Sequence, residues 1–340
     1  HKLSGLPVAV KCYRKSDIRS KGEAQALDLE VEILKQCAGQ PDVVRLYEVI
    51  DSPTHLYLIL ELAPGGDLES WLEEHKGQGP AGGVHEAVAA EVLAQAVEAL
   101  SFCHAIGVVH RDVKAGNFLV GVRPDPQGSE AVDAAVRASG TVAEKPGAGL
   151  APRVLLTDFG LSAHARPGQR LRVPCGTPSH AAPEILAKQP YDGFSTDVWS
   201  TGVLLHGALL GRLPFATVPE IHAGNLDLPS TLSSEAAGLL RTMIAVDPEQ
   251  RATLPDVRVH AWCAAGKMRA RAAIPAPKRA GVTHSDPDPA IMGRMQTEFG
   301  YPQDMVHRAV IDRAFNHASA TYSLLEDDVN AKKLKRFVAS

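Results

Sequence analysis

The chain has 340 residues, of which 45% are hydrophobic and 22% charged, and its formal net charge is −4. That balance excludes a disordered polyelectrolyte and a broadly basic surface of the kind that coats nucleic acid, and it leaves enough apolar residues for a large packed core. At about 150 residues per domain the length suggests two domains. No continuous apolar run reaches the ~18 residues of a membrane span. The cysteines (Cys12, Cys37, Cys103, Cys175 and Cys263) form no C-x-x-C pair, so reduced, intracellular thiols are expected rather than a zinc knuckle or a disulfide framework. The chain begins at His1 and not Met, with no signal-peptide pattern, so a fragment of a longer protein is expected.

Residues 3–62 read as strands around one helix. Residues 8–13 form a short apolar run suited to a strand. Residues 24–37 place Leu27, Val31 and Leu34 at helical spacing. Residues 43–50 and 55–62 are rich in strand formers and flank Asp51-Ser52-Pro53, which predicts a hairpin. Pro64-Gly65-Gly66 then breaks the chain, and helices follow. Residues 86–106 carry Val88, Val92, Val97, Leu100 and Cys103 on one stripe. Residues 196–210 are apolar almost all round, as a buried helix is. Ser233 and Glu235 suit the start of a helix over 233–244. Residues 121–152 are rich in Ala, Gly, Pro and Ser without an aromatic, which predicts a disordered insert. Residues 263–289 read as a Pro-, Ala- and Arg-rich linker. Three short helices are expected beyond it, over 291–299, 304–315 and 319–326.

Five separated motifs carry chemistry. Val8-Ala9-Val10-Lys11 sets an ammonium at the end of a strand, with Glu30 on the next helix as its acidic partner. His110-Arg111-Asp112-Val113-Lys114-Ala115-Gly116-Asn117 gathers a carboxylate, a cation and an amide on one loop. Asp158-Phe159-Gly160 puts a hard carboxylate after the apolar Val154-Leu155-Leu156 run. Cys175-Gly176-Thr177-Pro178 precedes Ala182-Pro183-Glu184, whose acid matches Arg251. Asp197-Val198-Trp199 opens the buried helix. Alone, the first and fourth of these are weak signals, since a strand ending in Lys usually meets solvent and a buried Glu–Arg pair is usually structural, whereas the fixed spacing of the run 110–117 is hard to explain as a plain polar turn.

In this order and spacing the motifs resemble the signature set of eukaryotic-type protein kinases, over residues 3–262. The resemblance implies an α+β bilobal fold: a small lobe of strands over 1–63 and a helical large lobe over 64–262. It implies ATP and Mg²⁺, with protein substrates and no nucleic acid. By resemblance Asp112 orients the acceptor hydroxyl, Lys114 offsets charge on the γ-phosphate, and Asn117 and Asp158 ligate Mg²⁺. Lys11, held by Glu30, contacts the α- and β-phosphates. Leu60 is a gatekeeper, Glu61 and Ala63 offer backbone groups to adenine, Ala9 and Leu119 sandwich the base, and Asp67 reaches the ribose or a basic substrate residue. His110, Arg111, Phe159, Gly160, Thr177, Glu184, Asp197 and Arg251 are supports. Lys114 two residues after Asp112, together with Gly176-Thr177-Pro178, points to Ser/Thr substrates.

Further on, Phe299-Gly300-Tyr301-Pro302, Val306, Val310 and the run 316–325 resemble the ubiquitin-associated (UBA) domain of AMP-activated-kinase-related kinases, the MARK subfamily being nearest. Residues 46–50, 211–215 and 260–262 agree with the calcium/calmodulin-dependent (CAMK) group. A UBA-like domain over 288–328, packed on the kinase domain and setting its activity, is therefore expected after a linker over 263–287. A basic tail over 329–340 ends the chain, and localisation is expected to be cytoplasmic or nuclear.

Several features depart from the pattern. No Gly-rich phosphate loop precedes Val8, so a truncated small-lobe sheet and poor ATP binding are expected. A non-catalytic pseudokinase or scaffold, or a truncated kinase fragment acting through protein binding, is the alternative reading. Val173 stands where relatives have an activating phospho-Thr, so activation is not expected to pass through that position, and Thr177 and Ser179 are poor substitutes. Ala115-Gly116 replaces the usual Pro-Glu, which removes one reader of substrate arginine. Residues 216–228 are short for the usual docking helix. Lys267, Arg269, Arg271, Lys278, Arg279, Lys332, Lys333, Lys335 and Arg336 read as solvated charge, with weak anionic-lipid contact as the alternative.

Overall fold

The computed structural model describes His1 and residues 4–121, 152–263, 286–312 and 314–339, with side chains described as far as residue 330. The expected insert and linker lie, apart from their ends, outside the described residues, as do the side chains of the basic residues noted above.

Strand β1 (Ala9–Arg14), helix α1 (Lys21–Gln36), and strands β2 (Leu46–Asp51) and β3 (His55–Leu60) build the first layer. The sheet is antiparallel in the order β1-β3-β2. The β2–β3 hairpin was legible because its turn residues interrupt two apolar runs. Helix α1 starts at a capping box, in which the Ser20 hydroxyl accepts from the Glu23 N–H and the Glu23 carboxylate accepts from the Ser20 N–H. Its buried face is Leu27, Glu30, Ile33 and Leu34, whereas Val31 is only half-buried. The stripe therefore contains a carboxylate, which puts Glu30 inward toward β1.

The larger, helical part follows. Helix α2 (Leu68–Glu74) precedes α3 (Glu86–Ala105), β4 (Val108–Val109), β5 (Phe118–Gly121), β6 (Arg153–Leu156) and β7 (Ala163–His164). After them come α4 (Pro183–Leu186), α5 (Gly193–Leu210), α6 (Val218–Ala223), α7 (Ser234–Met243) and α8 (Leu254–Val259). By length and composition α3 could cross a bilayer, although charged residues interrupt its sequence. Here its Leu93, Ala96, Val97, Ala99, Leu100 and Cys103 are fully buried in the protein core. Helix α5 is buried nearly all round, as its composition predicts, and ends at Gly211 with φ 66°, where only glycine is unstrained.

The short helix α6 corrects the expectation drawn from residues 216–228. The Thr217 hydroxyl accepts from the Glu220 N–H, a proline fills the first turn, and Gly224 closes the helix, so strong end signals support a six-residue helix.

Helices α9 (Pro289–Phe299), α10 (Gln303–Ile311) and α11 (His317–Ala339) form a small bundle around Ile291, Met292, Met295, Val306, Tyr322 and Leu325. The last helix is much longer than expected. The segment read as a basic tail continues α11 to Ala339, because Asp, Asn, Ala and Lys without Gly or Pro do not break a helix already nucleated by packing. One face of α11 lies on the first sheet, where Ala320 and Leu324 meet Tyr47 and Ile59.

Candidate active site

Two polar clusters face each other across the boundary between the sheet and the helical part. In the first, β1 and α1 bring Lys11 Nζ to 2.7 Å from Glu30 Oε1 and 3.2 Å from Asp158 Oδ1. The Tyr13 hydroxyl donates to Glu30 Oε2 at 2.6 Å. Tyr13 was not singled out from sequence, although it lies two residues from Lys11 and so on the same strand face. Burial works against the Lys11 charge, but the Glu30 carboxylate overrides it and holds the ammonium above its ordinary range.

The second cluster is built on the loop after β4. Asp112 Oδ1 accepts from both the backbone N–H and the hydroxyl of Thr177, each at 2.8 Å. Lys114 Nζ lies 3.0 Å from Asp112 Oδ2 and donates to the Thr177 hydroxyl at 2.8 Å. Asn117 Nδ2 donates to the Asp112 backbone carbonyl at 2.7 Å and to its Oδ2 at 2.9 Å. Burial alone would raise the Asp112 pKa, but the Thr177 hydrogen bond, then Lys114 and Asn117, hold it below the usual carboxylate range. Asp112 is therefore ionised at neutral pH.

Backbone links join the clusters. Thr157 N–H donates to the Asn117 carbonyl at 3.0 Å, and the His110 ring bonds the Thr157 carbonyl at 3.1 Å. The Phe159 ring meets the His110 ring edge-on at 5.3 Å. Buried Asp197 accepts from the backbone N–H groups of His110 and Arg111 at 2.8 Å each, and its Oδ2 also pairs with His104 at 2.9 Å. His104 carried no sequence signal, since its partner lies on another helix far along the chain. Arg111 and Asp158 have φ of 65° and 62°, a left-handed backbone that costs side-chain-bearing residues energy and that the surrounding bonds hold in place.

Farther out, Arg251 grips Glu184 through two nitrogens at 2.8 and 3.1 Å, and its guanidinium lies 5.1 Å from the Trp199 ring centroid. Arg111 donates to the carbonyls of Leu161 at 2.6 Å and Ser162 at 3.3 Å, and Val173 is exposed.

The residues expected around adenine are dispersed over the strands between these clusters. Ala9 stands opposite Leu60 in the β1–β3 ladder, and Leu119 bridges to Asp67. The Glu61 N–H donates to the Arg45 carbonyl at 2.8 Å, and its carboxylate pairs with Arg153 at 2.7 Å. Ala63 follows in an irregular stretch. Both carboxylate oxygens of Asp67 are engaged by Ser70 as the cap of α2, so its first role is structural. Gly160 sits beside Asp158, where a Cβ would be 3.5 Å from Asp158 Oδ1.

Asp158 is half-exposed, and the Asn117 amide hydrogens are taken by Asp112, leaving its oxygen for a cation. No group of three or more His, Cys, Asp or Glu side chains able to hold a metal occurs among the described residues. Two hard oxygen donors without an all-protein cage fit a magnesium ion completed by phosphate oxygens.

The protein kinase domain family matches residues 1–263. Among curated relatives, sperm motility kinase 3A of Mus musculus is 32% identical over 335 residues, covering 97% of this chain and 58% of that protein. SNF-related serine/threonine-protein kinase of Homo sapiens is 32% identical over 344 residues, covering 99% and 40%. Serine/threonine protein kinase OSK4 of Oryza sativa subsp. indica is 32% identical over 342 residues, covering 96% and 58%. The chain thus spans about half the length of these relatives. The match over residues 1–263, on a mixed α and β fold that gathers the motif residues at one cleft, makes this chain a member of the protein kinase domain family.

Proposed function

We infer that the chain is an ATP-dependent serine/threonine kinase that transfers the γ-phosphoryl group to hydroxyls of protein substrates. One observation carries the reading: the Thr177 hydroxyl donates to ionised Asp112 and accepts from Lys114, so a hydroxyl at this place meets a proton acceptor and a cation together. A substrate hydroxyl replacing Thr177 there would lose its proton to Asp112 as its oxygen bonds the γ-phosphorus. The bond to the β–γ bridging oxygen breaks, and ADP carries away the electron pair. Lys114 offsets the charge on the transferring group. Lys11 binds the other phosphates and is itself oriented by Glu30. Asn117 and Asp158 would hold Mg²⁺, which when bound neutralises phosphate charge. Leu60, Glu61, Ala63, Ala9 and Leu119 are assigned to the adenine side.

Asp112→Asn tests this assignment. It keeps the shape and removes the proton acceptor, so phosphorylation of a Ser/Thr peptide should fall about 10²- to 10⁴-fold. An unchanged rate overturns it.

The same reading places the chain with AMP-activated-kinase-related kinases of the CAMK group, in a MARK-like position. The bundle α9–α11 is then a UBA-like domain bearing on the sheet of the kinase domain. It is supported by the order of the segments and by the seating of α11 on Tyr47 and Ile59. Activation is proposed not to require a phosphate at position 173, since Val173 has no hydroxyl and Arg111 is bonded to the Leu161 and Ser162 carbonyls. The alternative, a non-catalytic scaffold, predicts no phosphoryl transfer by wild type or by Asp112→Asn.

A further inference from the structure

Beside the Asp112–Thr177 cluster opens a groove of about 370 Å³. Lys114 and Thr177 form its inner end, α2 supplies Glu69 and Glu73, and α5 with the chain after it supplies Leu204 and Leu213. A polypeptide that presents a hydroxyl at Asp112 has its flanking residues at this groove.

Position 116 of the loop that carries Asp112 offers no acid to the groove, because Gly116 has no side chain. Its place is taken from across the groove. A Cβ built on Gly116 would lie 3.0 Å from Glu69 Oε2 and 4.0 Å from Lys114 Cε. The Glu69 carboxylate is thus tucked against the bare backbone of the loop, two residues from Lys114. Its neighbours are already engaged: Glu73 pairs with Lys76 at 3.3 Å, Lys114 with Asp112, and Asp67 with Ser70. Among the described residues Glu69 has no hydrogen-bond or ion-pair partner, and it is exposed to the groove.

We propose that Glu69 is a specificity-determining residue of this chain. It reads a lysine or arginine close to the acceptor hydroxyl, and Gly116 is the gap that lets its carboxylate reach the catalytic loop. The proposal rests on the kinase reading and deepens it. The absence of an acid at 116 does not make the site indifferent to substrate charge, because the acid is moved to a different element. A Cβ at 116 would lie 3.0 Å from Glu69 Oε2 and make the carboxylate give by a few tenths of an ångström, and a branched side chain would take more of its space.

The test uses the full chain and a set of peptides with one acceptor serine, carrying arginine, norleucine or glutamate at each flanking position in turn. The readout is the ratio of kcat/KM for the arginine peptide over its norleucine twin. Wild type should favour arginine about three- to tenfold at one position. In Glu69→Gln the ratio should approach one. In Glu69→Lys it should fall below one, with a glutamate peptide now preferred. Gly116→Val should weaken the preference without touching Glu69 itself. A second measurement, fluorescence anisotropy of the same peptides with alanine for the acceptor serine, reads the preference without any phosphoryl transfer. If no phosphorylation occurs, or Asp112→Asn has no effect, the kinase reading fails while the anisotropy still decides Glu69. A uniform preference across all peptides, or one that survives Glu69→Lys, overturns the proposal.

Discussion

The candidate cleft and the C-terminal bundle are held by opposite kinds of contact. In the cleft the decisive partners are polar and remote in sequence: Lys11 with Asp158, Asp112 with Thr177, Asp197 with the loop at 110–111, Glu184 with Arg251. In the bundle they are apolar and close in sequence, drawn from three successive helices. Where the bundle meets the sheet, the cleft's style returns. Arg45 pairs with Asp327, the Tyr47 hydroxyl donates to Asp327 at 3.0 Å, and His317 lies 3.3 Å from Glu48. Burial raises the Asp327 pKa and Arg45 opposes it, so the carboxylate depends on that guanidinium to stay charged. Apolar packing makes each unit and seats α11 on the sheet through Ala320 and Leu324, while directional polar bonds add to it where parts from different regions of the chain meet.

This contrast can be broken at graded cost. The largest stability effect is expected for Arg251→Ala, which strands Glu184 in the interior and should cost about 3–5 kcal/mol by urea unfolding. A loss under 1 kcal/mol would mean that water reaches the pair. Asp327→Ala should cost less, about 2 kcal/mol, and only locally. Hydrogen exchange should rise in β2 and α11 while α3 stays protected; uniform change would mean that the bundle and sheet unfold as one unit.

Tyr13→Phe removes one donor to Glu30 and leaves the Lys11 bond, so about 1 kcal/mol is expected in stability. ATP affinity should fall by a similar amount if Glu30 then orients Lys11 less well.

In the wild type the smallest net effect concerns pH, because two opposed contributions nearly cancel. Burial pushes His180 down to about 4; Lys114 adds to that shift and Asp112 opposes it. The unfolded chain therefore takes up a proton that the folded one refuses. The stability this contributes is full above about 6.5 and is lost as pH falls toward 4. Asp42, pushed up to about 6 by burial, runs the other way, contributing most below its ordinary 3.8 and losing it as pH rises to 6. The two should nearly cancel between pH 4 and 6. His180→Gln should then make the protein lose less stability on acidification than wild type, and Asp42→Asn more. Identical pH profiles for all three proteins would show that neither group titrates differently on folding.

Much of the site could be read before the fold was known, because its residues come in short motifs whose internal spacing is set by one loop or strand. Asp112, Lys114 and Asn117 are the clearest case. Glu30 was picked out as the acidic partner that Lys11 requires, and the structure adds that it lies on the buried face of α1. The helix start at Ser233 was also readable, since a cap is a local hydrogen bond, whereas α1 begins three residues before the expected 24–37, at the Ser20 cap. Helices α2, α6 and α8 were missed because each is only six or seven residues long, too short for a period to emerge.

Sequence by itself therefore determined the family and much of the order of the elements, because both rest on short motifs and local periodicity. Tertiary structure alone decided that Asp67 caps a helix, that His104 shares Asp197 with the loop, that α11 seats on β2, and that Glu69 fills the space above Gly116. Each of these depends on where a distant segment arrives, and no local spacing carries that information, because it is set by burial of the whole core.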